Sequence, residues 1–449
     1  MIKSSTLIVL VAAILLGGAF YYFDLRKGDK DKLPADETKP AFAIASPSDV
    51  TSMTLTRPAT PAEPAIRLEK RDGSWEIAAP LLTGADQTVA ERIVNGVAGA
   101  RVSQTEPGTP DRLKVFGLDP PAVELDFQLQ NGSKHSLKLG GKDFTGISVY
   151  AILDGGKDVA LVPQTLLTST AVNVEELRDH AVLHFTPGEA VSVQLKNSSG
   201  ELSMKKEKSD WRFTKPTDLR ADSGDVSSLM NSVSGGRIDA IVSETPDNPA
   251  KFGLASPPIT FTVTDEKGKT ATLLVGRKDG NGYFARDPSR PMIFKIEDKL
   301  YKRLETKYPE LRDKKMMHFE EEDIKSVDFK NSNGEVTFSR APDKAEDWVI
   351  DSPQDVKGKS ASAWKIFSTL TGARADEVMD HPQPDIAAKF GKPAIEVTLT
   401  DKSGKKMAVQ VSKESGNFVY ARVSDGPTVY KIKKELFSGI GFKPAELAY

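Results

Sequence analysis

The stretch Trp75-Glu76-Ile77-Ala78-Ala79-Pro80 occurs three times in related form. It returns as WRFTKP at Trp211–Pro216 and as WVIDSP at Trp348–Pro353, at steps of 136 and 137 residues. A Phe-Gly pair follows in each copy, at Phe116-Gly117, Phe252-Gly253 and Phe390-Gly391, with a proline soon after at Pro120, Pro257 and Pro393. Gly146, Gly280 and Gly416 each precede an aromatic by four residues (Tyr150, Phe284, Tyr420), and an alanine follows each aromatic (Ala151, Ala285, Ala421). So many matches in one order at one period mark an internal repeat. A period near 136 residues is the size of a domain rather than of a solenoid unit, so each copy is expected to own a core.

Between the Trp-Pro and Phe-Gly elements every copy carries a helical stripe with apolar residues at i, i+3, i+4 and i+7. The positions are Ala90, Ile93, Val94 and Val97, then Val226, Leu229, Met230 and Val233, then Ala363, Ile366, Phe367 and Leu370. Gly99, Gly235 and Gly372 fall where the helix should end, a place that favours a residue tolerant of positive φ. Most of the remainder reads as strands. Val50–Thr56, Ile66–Lys70 and the Trp75 segment come before the helix. After the Phe-Gly turn, Val123–Leu129 and His135–Leu139 flank Asn131-Gly132, a hairpin signal. Ile259–Thr264 and Thr270–Val275 flank Lys267-Gly268, and Ile395–Thr400 and Met407–Val411 flank Ser403-Gly404. The pattern predicts an α+β fold: three tandem copies of a β-rich module with one main packed helix, over 48–185, 186–319 and 320–449.

Copies one and two end in related tails, Arg178-Asp179 to His184-Phe185 and Arg312-Asp313 to His318-Phe319, which the third copy lacks. Such a tail is expected to pack between neighbouring modules. Upstream, Leu7 to Phe23 is an uncharged, mainly apolar run, about 26 Å long as a helix at ~1.5 Å per residue. Residues 1–23 therefore read as a transmembrane signal anchor with Phe20 to Phe23 at the interface. A cleaved signal peptide, with Gly17 and Ala19 before the cut, is the competing reading. Residues 24–47, charged and containing Pro34, Pro40 and Pro47, read as a linker. Arg26, Lys27, Lys30 and Lys32 follow the span and by a plain Lys/Arg count favour a cytoplasmic C-terminal side.

Chemistry is harder to find. The chain has no cysteine, which excludes thiolate catalysis, disulfides and cysteine-ligated metals. Its net charge of −2 argues against a nucleic-acid binder, which needs a basic surplus. No phosphate-binding loop, G-x-S-x-G or H-E-x-x-H motif is present. His180 and His184 have the i, i+4 spacing of a helical metal pair, but Ala181–Phe185 reads as a strand, and His318 is the counterpart of His184. His135 and His381 complete the histidines and join no motif. Arg101, Arg237 and Arg374 end the helix segment in each copy; they would either bind an anionic partner group or complement the helix dipole. Glu320 to Asp323 reads as a solvated junction, and Asp279-Gly280-Asn281-Gly282 as a turn. No catalytic, cofactor-binding or metal-ligating residue is assigned, and no cofactor is expected. Carboxylate pairs for glycoside hydrolysis are set by spatial rather than sequential spacing and stay open.

Trp-x4-Pro, a helix, Phe-Gly-Leu-x-x-Pro and a late Arg-Asp-x4-His-Phe together resemble the bacterial domain-of-unknown-function family 4340, over nearly all of residues 48 to 449. The third copy departs from the pattern, with Lys392 in place of the leucine. The resemblance implies a membrane-anchored protein associated with ABC transporter components of gliding-motility type, its modules on the periplasmic or extracytoplasmic side. The family has no assigned catalytic residues, so the resemblance carries none over to this chain. The expected function is a non-enzymatic, membrane-tethered binding or assembly protein, with subunits of a membrane transport complex or an envelope polymer as partners. A cell-envelope hydrolase with one active module and a mechanical spacer are the alternatives.

Overall fold

Alternation of apolar and polar residues makes the predicted strands two-faced, and the buried positions follow it except at bulges such as the one after Val50. In Val123–Leu129, for example, Val123, Leu125, Phe127 and Leu129 are buried while Glu124, Asp126 and Gln128 are not. The structure, a computed structural model, describes residues 38–60, 62–341, 347–424 and 426–448. The expected anchor at 1–23, and the linker as far as residue 37, lie outside them. Among the described residues no helix is long and apolar enough to cross a membrane.

The chain divides into two compact units, up to His180 and from Ala181 onward. The first holds one large sheet and the second holds two. All three sheets share one antiparallel plan. In the first, Val50–Thr56, Ile66–Arg71 and Ser74–Ala79 form a meander. The helix Gln87–Ala98 follows, then the edge strand Gln104–Pro107. A second meander runs through Val123–Leu129, Lys134–Lys142, Ser148–Leu153 and Asp158–Pro163. Numbered within the module, the eight strands lie in the order 3-2-1-5-6-7-8-4, with Thr83-Gly84 added outside strand 3. The sheets beginning at Ala190 and Ile324 repeat this order without the extra strand. Strand 1 pairs with strand 5 at the centre, as Met53 with Phe127, Val193 with Val263 and Val327 with Leu399.

The main helix closes one face of each sheet. Its observed spans are Gln87–Ala98, Ser223–Ser234 and Trp364–Gly372. Every stripe residue expected from the sequence is buried, and each module has its own core cluster. Asp86 and Asp222 cap the first two helices through their carboxylates, whereas Ala363 at the start of the third makes no side-chain cap. The Trp strand is tied to the helix start: Gln87 accepts from the Trp75 amide at 2.8 Å, and the Trp75 carbonyl accepts from Gln87 Nε2 at 2.9 Å. The proline after each Trp strand is cis, at Pro80, Pro216 and Pro353.

Gly99 and Gly235 do terminate helices, but not through positive φ. Their φ values are −87° and −85°. A Cβ at either position would meet the carbonyl oxygen of Asn95 or Asn231 at 3.1 Å, so tightness of the last turn is what favours glycine there. Positive φ appears instead at the Phe-Gly turns: Gly117 (66°) and Gly253 (74°). These turns press on the facing strand, where a Cβ on Gly140 or Gly276 would lie 2.3 or 2.1 Å from the Phe116 or Phe252 oxygen. The third copy, with Lys392, has neither feature: Gly391 is not left-handed, and Ser412 follows the strand ending at Val411.

The linker expected over 24–47 is packed from Thr38 onward. Lys39-Pro40 pairs with Arg101-Val102, and Phe42 is buried in the first core against Phe127 and His135. Burial of Phe42 explains the docking, since a phenyl ring loses much of its water contact there. Replacing Ile93, fully buried under the first sheet, by alanine should destabilise the first module by about 2–5 kcal/mol. Denaturant unfolding followed through probes in each module should show that transition alone moved.

Candidate functional site

The residues that alternate with the core form the outer face of each sheet, and this face differs in chemistry among the copies. In the first module Ser52, Thr54, Asp126, Gln128 and Ser136 line a groove of about 590 Å³ with Arg67, Lys134, His135 and Asp154. His135 Nδ1 lies 3.0 Å from Asp154 Oδ2, and the His135 ring stacks on Phe127. Asp154 sits in the left-handed region at φ 50° and also accepts from the Ser136 amide at 2.9 Å. Partial desolvation, and after it the neighbouring Glu124 charge, raise the Asp126 carboxyl against the opposing Lys138. The same face of the third module carries a smaller groove of about 340 Å³ with Glu396, Gln410 and Arg422. In the second module the face presents a hydroxyl pair, Thr262 and Thr272 at 3.1 Å.

The tail ending the second module builds a third site. The segment Arg312–Phe319 joins the second module to the third. Leu311 just before it is buried in the second core, whereas Met316 and Met317 are buried in the third and Phe319 packs against it. The module boundary therefore falls before Met316 rather than after Phe319, where the sequence placed it. Arg312, buried, pairs with Asp380 of the third module at 2.7 Å. The Lys314 carbonyl accepts from Ala375, and Lys315 bridges to Arg374. Arg374 returns to the second module, reaching the helix-capping Asp222 at 2.9 Å and Asp225 at 3.5 Å. Asp313 takes a very short contact from His318. Burial by itself would raise the Asp313 carboxyl. Hydrogen bonds from His318 and the Lys315 amide, with the charges of His318 and Arg220, outweigh it and hold the group below its ordinary range. Beside this clasp a groove of about 800 Å³ is walled by Asp210 and Arg220 from one module and by Glu320, Glu321, Trp364 and Ser368 from the other. Trp364, 69% exposed, stands on its rim.

Arg101, Arg237 and Arg374 do not end helices. They lie beyond the helix and pair, through backbone, with the segment that leads into the module: Pro40, Ala181 and Lys315 respectively. The Arg101 side chain donates to the Thr38 hydroxyl at 2.7 Å and carbonyl at 2.6 Å. Sequence spacing placed these arginines near a helix terminus, and only the through-space pairing reveals the strap. His180 contacts the Glu175 carbonyl at 3.0 Å, His184 lines a small groove of the second module, and His381 is exposed. Among the described residues no group of three His, Cys, Asp or Glu could hold a metal ion. Glu321 in the acidic run is more than solvated: its carboxylate accepts from the Trp348 indole at 3.3 Å. Asp279 to Gly282 is a tight hairpin turn with Gly280 at φ 61°. The two grooves on the sheets had no sequence signal beyond polar residues at alternate strand positions.

The fold and its threefold repetition define the class, a tandem array of one antiparallel α+β module. The family model described as "Domain of unknown function (DUF4340)" matches residues 75–212, 211–347 and 348–448. The chain belongs to this family, in three tandem copies. The matched segments open at the three tryptophans, whereas each sheet opens two strands earlier, so strands 190–197 and 200–207 fall in the first match but build the second sheet. No curated protein matches the chain. One solved structure, a DNA polymerase sliding clamp from Pseudomonas aeruginosa, aligns over 88% of this chain and 93% of that one at 5% identity and a TM-score of 0.14. A score that low carries no argument about fold or function.

Two outcomes test the clasp. Asp380→Ala leaves the buried Arg312 without this partner, and breaking a buried pair costs about 3–5 kcal/mol. The expected result is earlier unfolding of the third module and faster proteolysis near residues 312–319. Asp313 has a depressed folded-state pKa, so its contribution is fully present above the unfolded value near 3.8 and is lost as pH falls through the lower folded value. Acid unfolding of Asp313→Asn should lack that part of the pH dependence.

Proposed function

We propose that the chain is a non-enzymatic, membrane-tethered extracytoplasmic binding or assembly protein, acting as an accessory to an ABC-type transport complex. The groove at the joint of the second and third modules is the observation that carries this reading. It is wide and polar, with both charge signs and an exposed tryptophan on its rim, and both modules contribute walls. Surfaces of that kind suit an extended partner, with an aromatic anchor inside a polar surround. Three modules of one plan but different outer faces would add contacts on a single tether, and linked sites gain avidity through effective concentration. The transport complex enters through the family resemblance. The membrane tether enters through the apolar run at residues 7–23.

A hydrolase with one active module draws support from the His135–Asp154 pair, which the equivalent strands of the other copies lack, having Ala271 and Met407 at the position of His135. The Asp orients Nδ1 as in general-base pairs, although packing against Phe42 and Phe127 accounts for the same ring placement. Measured cleavage of envelope glycan or peptide that His135→Ala abolishes would establish the enzyme reading and defeat the binding one.

The binding reading predicts that membrane-complex subunits co-purify with the full-length chain after crosslinking in intact membranes. Trp364→Ala should lower that recovery by about tenfold, the loss typical of one aromatic anchor, with the thermal unfolding curve unchanged. Recovery of no membrane-complex subunit with the parent chain would defeat the proposal.

A further inference from the structure

We infer that the loop Asp143–Ile147 of the first module inserts Phe144 and Ile147 into the interface of the bilayer that holds the chain's own N-terminal segment. This inference rests on the membrane-tethered reading above and deepens it.

Phe144 is 99% exposed and Ile147 75%. Single exposed apolar residues are ordinary, but these two stand on a loop that is built to hold them out. The Asp143 carboxylate accepts from the Thr145 hydroxyl at 2.7 Å and from the Ser148 amide at 3.0 Å. The Ile147 amide donates to the Thr145 hydroxyl at 3.2 Å, and the Ile147 carbonyl accepts from Gln164 at 2.9 Å. Val115, 81% exposed, adds a third apolar side chain near the base, since the next carbonyl, that of Phe116, accepts from the Gly141 amide. The equivalent loops of the other copies carry no apolar residue: Asp279-Gly280-Asn281-Gly282 and Lys413-Glu414-Ser415-Gly416-Asn417. The feature belongs only to the module next to the apolar run.

Strand register then places the loop. Ser148 faces Pro163, and Leu161 faces Gln104 across the next pair. Two residues before Gln104, Val102 faces Lys39, where the described chain begins its path into the module. The loop and the incoming chain thus share one end of the sheet. The 14 residues between Phe23 and Thr38 span at most about 50 Å extended and about 20 Å as a flexible coil. That end of the first module is therefore kept close to the bilayer. Lys39, Arg101 and Lys142, all exposed, lie at that end by register and outnumber the loop's own Asp143, whose carboxylate is turned inward onto Thr145 and Ser148, which suits anionic headgroups. An exposed apolar tip with cations beside it is the arrangement of interfacial membrane contacts.

The chain has no cysteine, so Phe144→Cys or Ile147→Cys places one environment-sensitive fluorophore in the full-length protein. The variants are reconstituted into phosphatidylcholine–phosphatidylglycerol vesicles containing nitroxide-labelled lipid. Quenching should be at least about twofold greater at 144 and 147 than at Asn281→Cys or Ser415→Cys in the equivalent loops. Equal quenching at all four sites, in protein that floats with the vesicles after alkaline extraction, overturns the inference and leaves the tether standing. Shielding of position 144 from an aqueous quencher without lipid quenching points to a protein partner and also overturns it. Protein that does not float defeats the tether, and the inference falls with it. Phe144→Ser combined with Ile147→Ser should leave thermal unfolding unchanged and raise protease cleavage in the linker.

Discussion

Each module depends on the pairing of its first strand with its fifth. Val50–Thr56 meets Val123–Leu129 across an intervening segment that holds two further strands, the main helix and the edge strand. Loop-closure entropy grows only slowly with length, so the pairing costs little more than a shorter one would. What it secures is the helix. With strands 2 and 3 on one side and 6 to 8 on the other, the sheet offers a continuous apolar face, and Ile93, Leu229 and Ile366 are buried under it. Slipping Val50–Thr56 by one residue against Val123–Leu129 would turn Met53 and Leu55 to solvent together. The core therefore specifies the pairing as much as the pairing specifies the core.

The second constraint is the strap. The segment leading into a module pairs with the residues just beyond its helix, at Pro40 with Arg101, Ala181 with Arg237 and Lys315 with Arg374. The segment ending a module returns to the helix start, with Arg178 facing Ala85, Arg312 facing Ala221 and Ala448 facing Ala361. The two ends of a module thus meet around one helix. Between the second and third modules this geometry brings Arg312, Arg374, Asp222 and Asp380 into one ionic clasp. Charge pairs of this kind specify an arrangement more than they stabilise it, because burial costs much of what the attraction returns.

Variation is concentrated where neither constraint acts. Outer sheet faces bear Asp126 and Arg67 in one copy, threonines in another, and Glu396 with Arg422 in the third. The loop after the sixth strand is a tight glycine turn in the second copy and an apolar tip in the first. Repetition of the core with divergence of the faces is how one scaffold comes to present several surfaces.

The repeat, the helix stripe and the strands were legible in the sequence because they are local. Period 3.6 marks Val226, Leu229, Met230 and Val233, and period 2 marks Val123 to Leu129, whatever lies nearby. Even the tail at Arg312 announced a junction through its recurrence. Fine detail failed where a neighbour in space decided it. Gly99 answers to the Asn95 carbonyl, Gly140 to the turn at Phe116, and Phe42 to a core whose other members lie far along the chain. Strand order, the partners of Arg101 and Arg374, the grooves and the shared end of Lys39 and Ile147 are products of tertiary structure alone. Each joins residues distant in sequence, and antiparallel pairing between remote strands leaves no periodic trace in either one.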